Sequence, residues 1–150
     1  MEPAMYEAKW FTWDQQDLAS QASSIRQKVF VEEQQVDPAE EYDEFEQTSR
    51  HVLLTYNGHS IGTARWRHTE KGVKLERFAV LKDYRGRGAG SAILDEVLKE
   101  ALLPQKMVYL HAQLPAMNLY RRAGFSEVGE LFYEAGLAHY KMVFNSTDSQ

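Results

Sequence analysis

The stretch Arg85-Gly86-Arg87-Gly88-Ala89-Gly90 puts three glycines and two arginines into six residues, between the apolar run Phe78 to Leu81 and a helical pattern over Ser91 to Leu102. Glycines let a backbone take positive φ and approach a guest closely. The start of a helix adds unpaired N–H groups and the positive end of the helix dipole. A loop of this kind, flanked by guanidinium groups, suits an anion, and phosphate is the obvious one.

Familiar nucleotide patterns do not fit it. The Walker pattern needs Lys followed by Ser or Thr after its last glycine, whereas Gly90 is followed by Ser91-Ala92. The dinucleotide fingerprint G-x-G-x-x-G fails because Gly86-x-Gly88 meets Gly90 one residue too early. A structural turn explains one or two glycines and leaves the arginines unexplained.

Other residues able to move protons are Glu76, His111 and His139. Glu76 shares strand parity with Phe78 and Val80 and so is expected to face the same cleft, as a general base. The plainer reading is a surface carboxylate paired with Arg77 or Lys74. His111 and His139 are further candidates, imidazole being a group suited to proton transfer, but they rank below Glu76, because a lone histidine on a strand is usually structural. No His, Asp and Glu set has metal-ligand spacing such as H-x-x-x-H, so no metal is expected.

The elements that would position these groups follow from patterning. Tyr6 to Trp13 reads as a strand and Asp14 and Asp17 as helix caps, with a helix running to about Val31. His51 to Tyr56 and Ile61 to Trp66 flank Asn57-Gly58, a hairpin signal, and Val73 to Leu81 follows a second turn. After the glycine loop come a helix ended by Pro104, a strand over Met107 to Ala112, and a short helix from Pro115 to Ala123. A final strand pair covers Phe125 to Phe132 and Gly136 to Phe144. Between the first helix and the hairpin, Glu32 to Glu46 carries eight carboxylates and no Lys or Arg. That stretch reads first as a solvated acidic loop or short helix, and second as a wall attracting a cationic acceptor.

At 150 residues the chain suits one domain over residues 1–144, with a frayed polar tail at 145–150. With no cysteine there is no disulfide, no thiolate zinc site and no covalent cysteine intermediate. Group transfer would use another nucleophile or pass directly between two bound substrates. The net charge of -5 argues against a nucleic-acid partner. No run approaches the roughly 18 apolar residues of a membrane span, and Met1-Glu2-Pro3-Ala4 lacks a leader pattern. A cytoplasmic, soluble protein with no membrane partner is expected, and a homodimer is the default assembly.

Arg85, Gly88 and Gly90 satisfy R-x-x-G-x-G, and here the sequence resembles the GCN5-related N-acetyltransferase (GNAT) superfamily. The segment Asn118-Leu119-Tyr120-Arg121-Arg122-Ala123-Gly124-Phe125 looks like a second signature of the superfamily, Asn-x-x-Tyr-x-x-x-Gly-Phe: Tyr120, Gly124 and Phe125 match it, and Asn118 stands one residue closer to the tyrosine than the pattern has it. Arg26 to Gln34 and Phe132-x-Glu134-x-Gly136-x-x-His139-x-x-Met142 are similar to a small bacterial branch of ElaA-like proteins. Ala135 and Ala138 depart from that branch's acidic residue and proline.

The resemblance implies an α+β fold: a twisted, mostly antiparallel mixed sheet of six or seven strands with helices on both faces. It implies acetyl-coenzyme A (acetyl-CoA) as cofactor, its pyrophosphate held over Arg85, Gly86, Arg87, Gly88, Ala89, Gly90 and Ser91. The pantetheine arm would lie along Phe78, Ala79 and Val80 and against Asn118, with the Val80 N–H facing the thioester oxygen. Tyr120 would be the general acid for the departing thiolate. Arg26, Phe30, His111 and His139 are expected on the side of a small amine acceptor, acetylated directly in a ternary complex. Two alternatives stand beside this: a non-catalytic acyl-CoA sensor, and an acyl-homoserine-lactone-synthase-like enzyme suggested by Arg26-x-x-Val29-Phe30 and the acids after it.

Overall fold

The computed structural model describes residues 6–145. In chain order it contains β1 (Tyr6–Phe11), α1 (Gln16–Arg26), α2 (Pro38–Glu41), β2 (Arg50–Tyr56), β3 (His59–Thr69), β4 (Gly72–Val80), α3 (Ala89–Ala101), β5 (Val108–Gln113), α4 (Met117–Arg122), β6 (Phe125–Glu134) and β7 (Leu137–Phe144). The seven strands form one sheet in the order β1-β2-β3-β4-β5-β7-β6. Every neighbouring pair is antiparallel except β4 with β5. The expected α+β fold is therefore present.

Each face of the sheet has its own core. Val52, Leu54, Ala64, Trp66, Val73 and Leu75 pack with Ile93, Leu94 and Val97 of α3. Phe11, Leu53 and Ala79 pack with Ala22 and Ile25 of α1 on the other face. β2 is covered on both faces, which is why Val52-Leu53-Leu54 reads as a continuous apolar run rather than an alternation.

Two boundaries differ from expectation for local reasons. β1 stops at Phe11 because Thr12 to Gln15 form a turn, with the Gln15 N–H donating to the Thr12 carbonyl at 3.0 Å. Gln15, not Asp14 or Asp17, precedes α1, and the Asp14 carboxylate accepts from the Thr12 hydroxyl instead. After Arg26 the helix widens into a π-helical segment, Gln27–Glu33. Its hydrogen bonds reach further back, Gln34 N–H to Val29 at 3.2 Å and Val36 N–H to Phe30 at 2.8 Å. Val29 and Phe30 of this segment are buried, and at its end Glu33 meets Arg85 and Gln34 meets Gln113 of β5. Of the tail, residues 146–150 lie outside the described residues.

Candidate active site

β4 and β5 run side by side only over Val73 to Leu75 and Val108 to Leu110. Beyond Leu75 and Leu110 the pairing of the two strands ends and they form a fork. The fork opens into a cleft of about 570 Å³, whose lining includes Phe30, Glu76, Phe78, Val80, His111 and Tyr120.

The wall that β4 gives to this cleft is irregular. Thr63 pairs with Ala79 and Arg65 with Glu76, so Arg77 and Phe78 together face Ala64. The extra residue is a β-bulge, with Arg77 in the left-handed region at φ 60. The bulge reverses the alternation of side chains. Phe78 and Val80 turn to the core beneath α3, while Ala79 joins the core beneath α1. Glu76 therefore does not share a face with Phe78 and Val80, which corrects the expectation drawn from regular parity.

The same bulge sets the backbone. The Leu81 N–H donates to Ile61 of β3 at 2.8 Å. By alternation Ala79 also directs its main-chain groups to β3, whereas Phe78 and Val80 direct theirs into the fork. The Val80 carbonyl takes a hydrogen bond from Arg85 Nε at 2.9 Å.

The glycine loop follows β4, and its first residue, Arg85, lines the cleft. Gly86 and Gly88 have φ 77 and 84, and Gly88 directly precedes α3. Among the described residues, no N–H from Gly86 to Ser91 has a hydrogen-bond partner, and the first bond of α3 runs from Ala92 N–H to Gly88 at 3.0 Å. Six successive N–H groups at a helix start form a concave donor surface for an oxyanion. The Tyr6 hydroxyl braces the loop by donating to the Arg87 carbonyl at 2.7 Å. Arg87 is exposed, its guanidinium 5.9 Å from the Tyr84 ring centre. Arg85 is engaged: Nη1 and Nη2 donate to the Glu33 carboxylate at 2.9 and 2.7 Å.

Tyr120 reaches the cleft from α4. Its ring meets Phe78 edge to face at 5.7 Å and Phe125 at 6.0 Å. No buried side-chain oxygen or nitrogen lacks a partner among the described residues, and the Tyr120 hydroxyl has none, so it touches the cleft. Burial pushes its ionisation above that of an ordinary phenol, so it stays protonated. Asn118 is exposed on the same helix and accepts from Arg121 Nη1 at 3.0 Å.

Glu76 sits among three cations. Arg65 and Arg67 lie 2.8 Å from one of its oxygens and Lys74 3.1 Å from the other. Burial alone would raise its carboxyl, but the Arg67 hydrogen bond and the charges of Arg65 and Lys74 prevail and hold it at about 2. A carboxylate so stabilised is a poor proton acceptor near neutral pH, so its charge and its face both argue against the expected base.

Arg26 also departs from expectation. It is 1% exposed and bound to Glu41 and Glu46, with Nη2 2.6 Å from Glu46. It cannot meet an acceptor, and the likeness to lactone synthases loses its substrate-facing residue. The expected short helix is present as α2, and Glu32, Asp37, Glu40 and Glu44 are exposed. The other acids at its end are engaged: Glu41 and Glu46 with Arg26, and Asp43 with Arg65 and Arg77, so that part of the stretch is the anionic half of an ion network and not an open acidic wall. Phe30 is buried and lines the cleft as expected.

His111 and His139 both line the cleft, and the structure joins them through a residue to which sequence reasoning gave no role. The Glu134 carboxylate lies 3.1 Å from His111 Nδ1 and 3.9 Å from His139 Nε2. The His111 hydrogen bond lowers the ionisation of Glu134, keeping it charged. Among the described residues no group of three or more His, Asp or Glu is arranged to hold a metal ion.

Comparison with known proteins agrees with this geometry. Residues 14–146 match the family model described as an acetyltransferase (GNAT) domain. The chain belongs to the GNAT acetyltransferase family. The N-acetyltransferase YjcF of Bacillus subtilis is 36% identical over 121 residues, covering 79% of this chain and 86% of YjcF. The crystal structure of Escherichia coli ElaA superposes with a TM-score of 0.84 at 27% identity, over 94% of this chain and all of that one. A GNAT family acetyltransferase from Elizabethkingia anophelis, crystallised with acetyl-CoA bound, shares the fold at a TM-score of 0.63 and 17% identity, over 92% and 94% of the two chains.

Of the expected site residues, Phe78, Ala79, Val80, Arg85, Tyr120, Phe30, His111 and His139 line this one cleft, whereas Gly86 to Ser91, Asn118 and Arg26 are not among its lining. Glu134 was visible in the Phe132-x-Glu134-x-Gly136-x-x-His139 pattern, although nothing there pairs it with His111. Glu33 had no distinguishing signal within its run of acids. No described helix is long and apolar enough to cross a membrane.

Proposed function

We propose that this domain is an N-acetyltransferase that moves an acetyl group from acetyl-CoA directly to a primary amine held in the same cleft. The observation that carries the reading is the adjacency of two sets of main-chain groups: the N–H groups of Gly86 to Ser91, which have no partner among the described residues, and the groups that strand alternation turns from Phe78 and Val80 into the fork. An anion at the loop and an extended, amide-bearing arm along β4 would satisfy both sets at once. Coenzyme A has both parts, and when bound it supplies an acetyl group activated as a thioester.

The chain's own groups then have distinct tasks. The loop N–H groups hold the pyrophosphate, with Arg87 beside them. Phe78 and Val80 align the arm by main-chain pairing, and the Val80 N–H faces the carbonyl oxygen where negative charge develops. Tyr120, kept protonated by its apolar surroundings, donates to the departing sulfur. The absence of cysteine favours direct transfer. The acceptor enters from the side of Phe30, His111 and His139, where Glu134 meets the charge of an ammonium group.

Titration calorimetry with acetyl-CoA tests the donor. Binding is expected, and no binding at millimolar ligand would overturn the reading. A thiol-release screen with spermidine, glucosamine, lysine and short peptides tests the transfer; cofactor binding with no thiol released by any amine would mark a sensor module instead.

A further inference from the structure

His111 is the first residue of β5 beyond Leu110, where pairing with β4 ends. It therefore stands at the opening of the fork, on the strand opposite Glu76. Register places it beside Lys141 of β7, and places His139 beside both Gln113 of β5 and Phe132 of β6. Glu134 closes β6 just before the turn at Ala135 and Gly136, and the return of the chain folds its carboxylate over both histidines.

The hydrogen bonds settle the protons. Glu134 is a carboxylate and only accepts, so the hydrogen of its contact with His111 sits on Nδ1 of the imidazole. His139 Nδ1 lies 2.7 Å from the Leu137 carbonyl, which also only accepts, so its hydrogen sits on Nδ1 as well. Neutral His111 therefore carries its lone pair on Nε2, on the side of the ring away from Glu134. Phe132 holds that ring edge to face at 5.0 Å and stacks on His139 at 5.7 Å. A nucleophile's base in other folds has this construction: an imidazole whose second nitrogen is fixed by a carboxylate.

We infer that His111, positioned by Glu134, is the group that deprotonates the acceptor amine, with His139 able to share the proton through the same carboxylate. The inference rests on the acetyl-transfer reading. An acceptor arriving as an ammonium ion gives one proton to His111 Nε2, which passes it to solvent. The freed lone pair forms the C–N bond, the C–S bond breaks, and the sulfur takes a proton from Tyr120. The second proton leaving nitrogen restores Tyr120. One ammonium and one thioester thus become one amide, one thiol and one released proton.

Glu134 of β6 makes the direct contact with His111, 3.1 Å from Nδ1. Lys141 of β7 is its register partner, Tyr109 precedes it by two residues on β5, and Lys74 and Glu76 of β4 and His139 of β7 line the same cleft.

The test uses the full chain and two independent readouts. Long-range 1H–15N spectra of the histidines should show the Nδ1–H tautomer for neutral His111, and Glu134→Ala should remove that preference. An Nε2–H tautomer in the unmodified protein, or a tautomer preference unmoved in Glu134→Ala, overturns the inference whether or not any acceptor is known. In thiol release with spermidine, glucosamine and lysine, His111→Gln should lower kcat about 100-fold or more with acetyl-CoA affinity unchanged, and Glu134→Ala should lower kcat with acetyl-CoA affinity unchanged. Full turnover in His111→Gln removes His111 as the base and leaves the acetyltransferase reading intact. Absence of acetyl-CoA binding in the unmodified protein sinks that reading, and with it the catalytic role, while the tautomer result stands by itself.

Discussion

Arg85 and Glu33, 52 residues apart, meet as a two-pronged ion pair at 2.9 and 2.7 Å, while Arg85 Nε holds the Val80 carbonyl. One guanidinium thus links the end of the π-helical segment, the glycine loop and the wall of the fork. The resemblance implies that Arg85 serves a pyrophosphate, in which case the loop anion and Glu33 compete for it. Glu33→Ala is expected to tighten acetyl-CoA binding about two- to fivefold, the worth of a half-exposed ion pair. Arg85→Ala should weaken it about tenfold or more, the loss of a charge-assisted contact. Calorimetry at two salt concentrations checks both, and a Glu33→Ala protein that binds more weakly would show that the pair supports the site.

Gly88 stands at φ 84, and a Cβ there would meet nothing within 4 Å. Gly88→Ala therefore introduces no clash and costs about 1–2 kcal/mol of backbone strain. With the anion seated against the loop as proposed, the added methyl group crowds it, and acetyl-CoA affinity should fall by about tenfold or more. Unfolding midpoints and calorimetry together separate the two effects. An unchanged affinity would place the anion elsewhere.

Glu76 is held at about 2, against 4.5 for a free glutamate. Its folded ionisation is depressed, so its contribution to stability is complete above about pH 4.5 and is lost as pH falls towards 2. Replacing it with glutamine leaves Arg65, Arg67 and Lys74 without their shared anion, and removal of one partner from such a buried cluster costs about 3–5 kcal/mol. Denaturant midpoints measured from pH 7 to pH 2 should show the Glu76→Gln protein destabilised at neutral pH, with a flatter loss on acidification. Equal acid slopes in both proteins would assign the acid sensitivity to other carboxylates.

Tyr120 contributes a hydroxyl that no described residue engages, on a ring held by Phe78 and Phe125. Tyr120→Phe keeps the packing and removes only the proton. The unfolding midpoint and acetyl-CoA affinity should be unchanged, while turnover falls about 100-fold or more. An unchanged kcat would remove Tyr120 as the acid.

Local chemistry determined much of this molecule. The Arg85 to Gly90 loop, the strand before it and the helix after it are short-range features, and their meaning survives without knowing what packs around them. The hairpin at Asn57-Gly58 is equally local: φ of 49 and 86 are what that dipeptide favours. Tyr120 likewise came from a motif spanning a few residues, and it stands in the cleft.

What the sequence could not decide depends on contacts between distant segments. A single bulge at Arg77 moved Glu76 to the opposite face from Phe78, and alternation carries no warning of an inserted residue. The acids of residues 32–46 looked alike until folding matched Asp43, Glu41 and Glu46 to arginines on three other elements. The pairing of His111 with Glu134 spans 23 residues and a strand exchange, since β7 lies between β5 and β6 in the sheet. Only the tertiary structure could set that carboxylate against that imidazole, because a side chain's charge and proton are settled by what is brought next to it.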